Sequence, residues 1–440
     1  MNTYRTQRQK LSPIPKRFPT TPLDQYLYIS LMFHEGQHRT IITFAGQVDA
    51  ERMTRAMRLM LDIEPILGCR FIEHPWRPYW ERRDDLDIVS LCPVVESKDM
   101  ESEFSEFVAA SMDPCTDPLV QVKIFRSDKD TLCIKVNHTV ADAGGARECI
   151  GLLARTYREL SVDSTYYPKP NVRGSRGYGQ VLRHVSPLSL IRGCWHFSHP
   201  KPLWGFPTIS QDFSGRAFTF RRIGPERFAN IKAYCRRHKV SVNVVLLTAF
   251  YRASLEILAP SVNVPLPIAG TVDLRRYLPS SQAGAICNLS SAFFTIVNMQ
   301  SGATFSDTLI QVIAAMKAVN EHKPWLGEAV YLNLAFLPGF FLGRRILQLY
   351  FNNSMREAAS GKVIPFLANM GTINPQHFYF GDTEVIDVCP FGMVPYGPSL
   401  MLGVNTFHNS MIFNMPFSNT AIDAQMVECF LDSFVRELPE

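Results

Sequence analysis

The sequence has no CxxC pair, no block of five or more like charges and no unbroken apolar stretch of the about 20 residues that a membrane-spanning helix requires. Each absence excludes a class. The ten cysteines, at 69, 92, 115, 133, 149, 194, 235, 287, 389 and 429, stand singly. That spacing argues against a disulfide framework and for reduced thiols used as small core residues in a cytoplasm. With 45 basic against 40 acidic residues and no charged run, nothing in the chain is suited to grip nucleic acid. Residues 1–20 are basic but lack the apolar stretch of a secretion signal, so a cytoplasmic location is expected. Charged residues make up 19%, against roughly 25% in an average soluble domain. Hydrophobic residues reach 46%, which implies a large interior and excludes disorder.

At 440 residues the chain is long enough for two or three domains, at about 150 residues each. Residues 26–33 and 40–45 are β-branched and aromatic runs separated by Glu35, Gly36 and Gln37, which reads as two strands joined by a tight turn. Helices are predicted over 50–61, 100–112 and 145–160, and a hairpin over 120–136. Residues 166–215 are rich in Pro, Gly and Arg and lack periodic runs, so they are read as an extended connector. Beyond it come a strand at 217–221, helices at 225–238, 241–258, 305–320 and 421–438, and strands at 267–273, 293–298, 400–406 and 410–416. Both halves mix hairpins with helices, so the class is α+β. The most apolar segment, residues 329–351, is broken by Pro338 and Gly339. It is expected to be buried helix packing, with a lipid-contacting segment as the alternative.

Two motifs bear on chemistry. His34-Glu35-Gly36-Gln37-His38 matches the HExxH pattern of zinc peptidases. That motif needs a helix to bring both histidines to one face, and here it holds a glycine between strand-like runs, so no zinc site is expected. The second is Asn137-His138-Thr139-Val140-Ala141-Asp142, followed by Ala143, Gly144 and Gly145. Strand period two puts His138 on the interior face with Leu132, Ile134 and Val136. Asp142 falls at the start of the next helix, where a carboxylate caps backbone N–H groups or meets an arginine. On spacing alone the two are equally well a core histidine and an unrelated N-cap.

This segment resembles the HHxxxDG motif of the CoA-dependent acyltransferase superfamily. That superfamily includes chloramphenicol acetyltransferase, the condensation domains of peptide synthetases and alcohol O-acetyltransferases. Thr271 to Leu278 (TVDLRRYL) is similar to the "DLR" strand of that group, and Leu367 to Ile373 (LANMGTI) to its "SNxG" segment. Residues 18–28 resemble its first strand, so the likeness spans nearly the whole chain. Two positions depart: Asn137 replaces the first histidine, and Ala143 stands where a glycine follows the aspartate. A turn needing positive φ would be strained by the Cβ of Ala143.

The resemblance implies two chloramphenicol-acetyltransferase-like lobes in a V-shaped pseudo-dimer with a tunnel between them. The lobes would be residues 1–165 and 216–440, with 166–215 connecting. It makes His138 the general base, and Asp142 paired with Arg275 the structural support of the site. Asn137 or Gly144 would contribute to the oxyanion or to the turn. No metal and no tightly bound cofactor are implied. The co-substrate would be acyl-CoA or an acyl-carrier phosphopantetheine, the acceptor a small alcohol or amine, and an acyl carrier protein a candidate partner. A protein that keeps the fold and binds acyl or pantetheine ligands without turnover is the alternative, motivated by Asn137 and Ala143.

Overall fold

The computed structural model describes residues 14–258, 264–298, 300 and 302–440. Most of the basic start of the chain, residues 1–13, lies outside the described residues. Three sheets hold the strands. A five-stranded sheet runs in the order Val385–Phe391, Gln37–Phe44, Asp130–Asn137, Val120–Arg126 and Val94–Val95. Its antiparallel hairpin pairs Val122 with Ile134 and Ile124 with Leu132, so their side chains enter one face together. The Ala50–Ile63 and Ala143–Val162 helices cover that face with Met53, Met57, Ile150 and Leu153, all nearly solvent-free. Burying each such side chain contributes about 1.5–3 kcal/mol. Both helices begin on an aspartate: Asp49 accepts the N–H of Arg52 at 2.9 Å and Asp142 that of Gly145 at 2.7 Å.

A six-stranded sheet follows the order Ser290–Asn298, Pro265–Asp273, Phe366–Thr372, Met401–Phe407, Ser410–Phe417 and Ala217–Ile223. The Val242–Leu258 and Ala424–Glu437 helices pack on it, with Phe250 meeting Phe430 edge to face at 5.4 Å. A small sheet joins Arg17–Pro19, Tyr79–Arg82 and Cys69–Ile72. The chain is therefore α+β, as its sequence of elements implied. All ten cysteines are free. No single helix among the described residues is long and apolar enough to cross a membrane; Pro225–His238 and Val242–Leu258 reach that length only as a pair bent by 103°.

Three expectations need correction. Residues 166–215 are not extended throughout: Pro187–His196 is a helix, capped by Ser186, whose Oγ accepts the N–H of Ser189 at 3.3 Å. Residues 26–33 are not a strand. Pro22–Ser30 is a helix, because Thr21 accepts the N–H of Asp24 and the Asp24 carboxylate accepts the N–H of Thr21, with Pro22 at the first helical position. That reciprocal cap overrides the strand propensity of the aromatic run, and Leu23 and Leu27, one turn apart, go to the core. The apolar segment 329–351 is not a buried helix either. It is split between Pro324–Ala335 and Phe340–Ala359, with Gly339 at φ 106° in the break, and several of its large side chains face water. Val385–Phe391, which the sequence reading left unassigned, crosses to the edge of the first half's sheet, where Pro390 is tolerated.

Candidate active site

His138 follows the last residue of Asp130–Asn137, the middle strand of its sheet, and is anchored by its own N–H donating to the Gly36 carbonyl at 2.8 Å. Asn137 makes the turn. Its Oδ1 accepts from the N–H of Thr139 at 3.0 Å and from the Thr139 hydroxyl at 2.6 Å, while its Nδ2 donates to the Met112 carbonyl at 3.0 Å. The Asn137 amide thus ties the turn to Thr139 and to the segment around Met112. Asp142 then opens the Ala143–Val162 helix.

The Asp142 carboxylate is fully engaged. Oδ1 accepts from Gly145 N, Oδ2 from Leu289 N at 2.6 Å, and Arg275 Nη1 reaches both oxygens at 3.0 and 3.2 Å. Arg275 also donates to Glu148 at 2.9 Å, to Asp273 at 3.2 Å and to the Cys287 carbonyl at 2.8 Å. Burial on its own would raise the Asp142 carboxyl; the Arg275 charge and the two backbone donors outweigh it and hold the group below the usual carboxylate range. Glu148, with less help from Arg275, is pushed by burial up to about 7.

The glycines after Asp142 are required by space rather than by dihedral angle. A Cβ on Gly144 would come within 2.6 Å of Arg275 Nη1, and one on Gly145 within 2.6 Å of the Cys287 carbonyl. Ala143 takes the ordinary right-handed first helical position, and no residue from 137 to 145 has positive φ, so its Cβ causes no strain.

A cavity of about 550 Å³ opens beside His138, lined from both halves of the chain by residues such as Gly144, Thr271, Glu328, Asn369 and Met393. His34 and His38 join His138 on its wall, with ring centroids 6.2 and 4.4 Å from that of His138. His34 lies just past the Pro22–Ser30 helix, where Ser30 Oγ meets its Nε2 at 3.1 Å, and His38 lies on Gln37–Phe44. The HExxH stretch is therefore a turn between a helix and a strand. Its Glu35 is committed to a solvent-free ion pair with Arg39 and accepts the N–H of Val394 at 2.8 Å. Among the described residues, no group of three or more His, Cys, Asp or Glu side chains is placed to hold a metal ion.

Each of the three imidazoles keeps one buried ring nitrogen with no hydrogen-bond partner among the described residues: Nδ1 of His34, Nε2 of His38 and Nδ1 of His138. Burial lowers all three from the usual histidine value, to about 3 for His34. For His138 the nearby Asp142 charge partly opposes that fall. Lowered in this way, the three imidazoles are uncharged rather than cationic at pH 7.

Of the residues singled out from sequence, His138, Asp142, Gly144 and Arg275 come together, and Asn137 stands behind them. Glu148 and Asp273 were missed, although Asp273 lies in the same DLR run as Arg275. His34 and His38 were noticed only as a failed zinc motif. Glu328 gave no local signal; it reaches the cavity from the Pro324–Ala335 helix, where it accepts from Ser291 Oγ and, at 2.8 Å, from Ala292 N.

No family model matches the chain, and no curated protein matches it by sequence. Solved structures do. Polyketide synthase associated protein 5 from Mycobacterium tuberculosis superposes with a TM-score of 0.64 at 15% identity, over 95% of this chain and 98% of that one. The first condensation domain of the calcium-dependent antibiotic synthetase, in complex with a substrate analogue, gives 0.68 at 15%, over 96% and 95%. The TRI3 trichothecene 15-O-acetyltransferase from Fusarium sporotrichioides gives 0.66 at 12%, over 96% and 94%. Over nearly its whole length, the chain has the fold of condensation domains and of this acetyltransferase, the fold expected of the CoA-dependent acyltransferase superfamily.

Proposed function

We propose that the protein is an acyltransferase, moving an acyl group from a CoA or carrier-bound phosphopantetheine thioester to the hydroxyl or amine of a small acceptor. The observation that carries this reading is the uncharged imidazole of His138 on the wall of the cavity, held at a strand end by the Asn137 turn and by a helix that Asp142 caps. A ring nitrogen of His138 takes the proton of the acceptor as its oxygen or nitrogen attacks the thioester carbonyl. The carbonyl oxygen becomes the tetrahedral oxyanion. On collapse the C–S bond breaks, and the proton passes from His138 to the departing sulfur, giving ester or amide plus free thiol.

N–H groups in the first turn of the Ala143–Val162 helix, at Ala143 and Gly144, are the nearest candidates to receive the oxyanion, because a helix N-terminus favours developing negative charge. Asp142 and Arg275 act as positioning residues, fixing that helix against the second half of the chain. Asn137 sets the turn. Ala143 gives no support to a non-catalytic reading, since the first helical position accepts a Cβ. The likeness to condensation domains and to a polyketide synthase associated protein favours a carrier protein as one source of the thioester.

The test is acceptor-dependent release of free thiol from a panel of acyl-CoAs offered pooled alcohols and amines, read by mass spectrometry. Release that needs an acceptor, with a product mass equal to the acceptor plus the acyl group less one hydrogen, is the expected result. Release with no acceptor, or none from either CoA or carrier-bound thioesters, would overturn the reading.

A further inference from the structure

Three helices leave large apolar side chains in water. On Pro187–His196, Leu188, Ile191 and Trp195 are exposed, the last at 84%. Their spacing of three and four places them on one face. Pro324–Ala335 packs against this helix, with the Tyr331 hydroxyl donating to the Cys194 carbonyl at 3.2 Å, and it ends with exposed Leu334 and Leu337. Phe340–Ala359 then presents Phe341, Leu342, Ile346 and Leu349 outward, Leu349 at 73%. Trp76 adjoins the start of that helix, since its carbonyl accepts the N–H of Phe340 at 3.1 Å, and it is itself 68% exposed.

Apart from Glu73, the charge along the segments that carry these side chains has one sign. No acidic residue occurs between Asp163 and Asp212, nor between Glu328 and Glu357, and those two intervals contain the three exposed helical faces. Arg192 and Arg345 stand exposed among the apolar residues, the Arg345 guanidinium 5.3 Å from the Phe341 ring. Arg344 is neutralised by Glu73 at 2.9 Å. Apolar side chains that protrude beside arginines are the makeup of an interfacial surface.

We propose that this surface, built from Trp76 and the exposed faces of the three helices, docks on an anionic phospholipid bilayer. A second copy of the chain is a poor occupant, because a two-fold contact would bring the arginine-bearing faces of both copies together. Trp76, Phe341 and Leu349 enter the boundary between headgroups and acyl chains, while Arg192 and Arg345 meet lipid phosphates. The opposite face of Phe340–Ala359 supplies Phe351, Ser354 and Ala358 to the cavity wall. One helix thus separates the bilayer from the cavity, and an apolar chain leaving the membrane has a short path to it. The docking stands whether or not acyl transfer is the reaction.

The test is co-sedimentation of the full chain with vesicles of phosphatidylcholine alone and of phosphatidylcholine with phosphatidylglycerol, at low and high salt. Two double variants complete it, Phe341→Ser with Leu349→Ser and Arg192→Glu with Arg345→Glu. All four side chains are exposed, so both variants should melt where the wild type does. Wild type should pellet with the anionic vesicles, less so at high salt. The apolar variant should lose about tenfold in partitioning to them, and the charge variant about tenfold or more, because each arginine near the surface is worth roughly fivefold. Wild type that stays in the supernatant with anionic vesicles would overturn the proposal, as would pelleting that either variant leaves unchanged. A wild-type dimer by light scattering that the apolar variant dissolves, without vesicle binding, would assign the surface to self-association instead.

Discussion

Around Asp142 the carboxylate has taken up two backbone N–H groups and an arginine, whereas four residues earlier the imidazole of His138, with those of His34 and His38, stands against a cavity with a ring nitrogen unpaired. Both places are buried and polar, so burial does not separate them. Satisfaction does. A buried polar group whose bonds are all made locks the backbone, and one left short of a partner is costly unless something enters to complete it. Four residues of sequence thus hold a fixed frame at one end and a group held ready at the other.

If that contrast is right, changes at the two ends fail differently. His138→Ala is expected to cut acyl transfer by about 10² to 10⁴-fold, the usual contribution of a general base, with an unchanged melting temperature. Rate and melt measured on one preparation check it. Arg275→Ala leaves Asp142, Glu148 and Asp273 without their common cation, and breaking a buried pair this way costs about 3–5 kcal/mol. Denaturant unfolding of Arg275→Ala should show that loss, with a lower yield of folded protein.

Smaller effects sharpen the comparison. Gly145→Ala drives a Cβ into the Cys287 carbonyl and should cost about 1–3 kcal/mol, while Ala143→Gly, with no clash to relieve, should cost about 1 kcal/mol or less. The reverse order in their unfolding midpoints would sink the close-approach explanation.

The last effect is one of pH, and its histidine part is absent at pH 7. Because the folded protein lowers His34 from 6.5 to about 3, and His38 and His138 in the same direction, the unfolded chain binds these protons first. Their contribution is complete above pH 6.5 and is lost as pH falls below it, for His34 down through about 3, while Asp142 holds its own until lower pH. Glu148 runs the other way. Raised from 4.5 to about 7, it favours the fold below 4.5 and loses that benefit as pH rises through 7. His34→Gln should flatten the acid side of a melting-temperature series, and Glu148→Gln the neutral side.

Much of this frame was readable in advance. The strand end at His138 and the cap at Asp142 follow from local pattern, while Arg275 was reached only through the resemblance of TVDLRRYL to the DLR strand. Strands such as Ser410–Phe417 and helices such as Pro225–His238 were legible because their periodicity and turns are local too. What was not legible depends on distant parts of the chain. Val385–Phe391 is a strand because Gln37–Phe44 offers it an edge more than 340 residues away, so Pro390 in its interior pointed away from a strand. His34 and His38 read as a broken zinc motif because their meeting with His138 is made by the sheet, not by spacing. The Pro22–Ser30 helix is the exception, a local signal misread: Thr21, Pro22 and Asp24 were there to be weighed against the aromatic run. For the exposed face of Phe340–Ala359, hydrophobicity was visible but its direction was not, since a helix's apolar side faces inward only if something covers it.

The most direct test of the central claim measures melting temperature and acceptor-dependent thiol release together, for wild type, His138→Ala and Asp142→Asn. The account predicts that His138→Ala melts with the wild type and has lost transfer, and that Asp142→Asn loses stability along with activity. Transfer that survives in His138→Ala, or an Asp142→Asn protein that melts with the wild type, would contradict it.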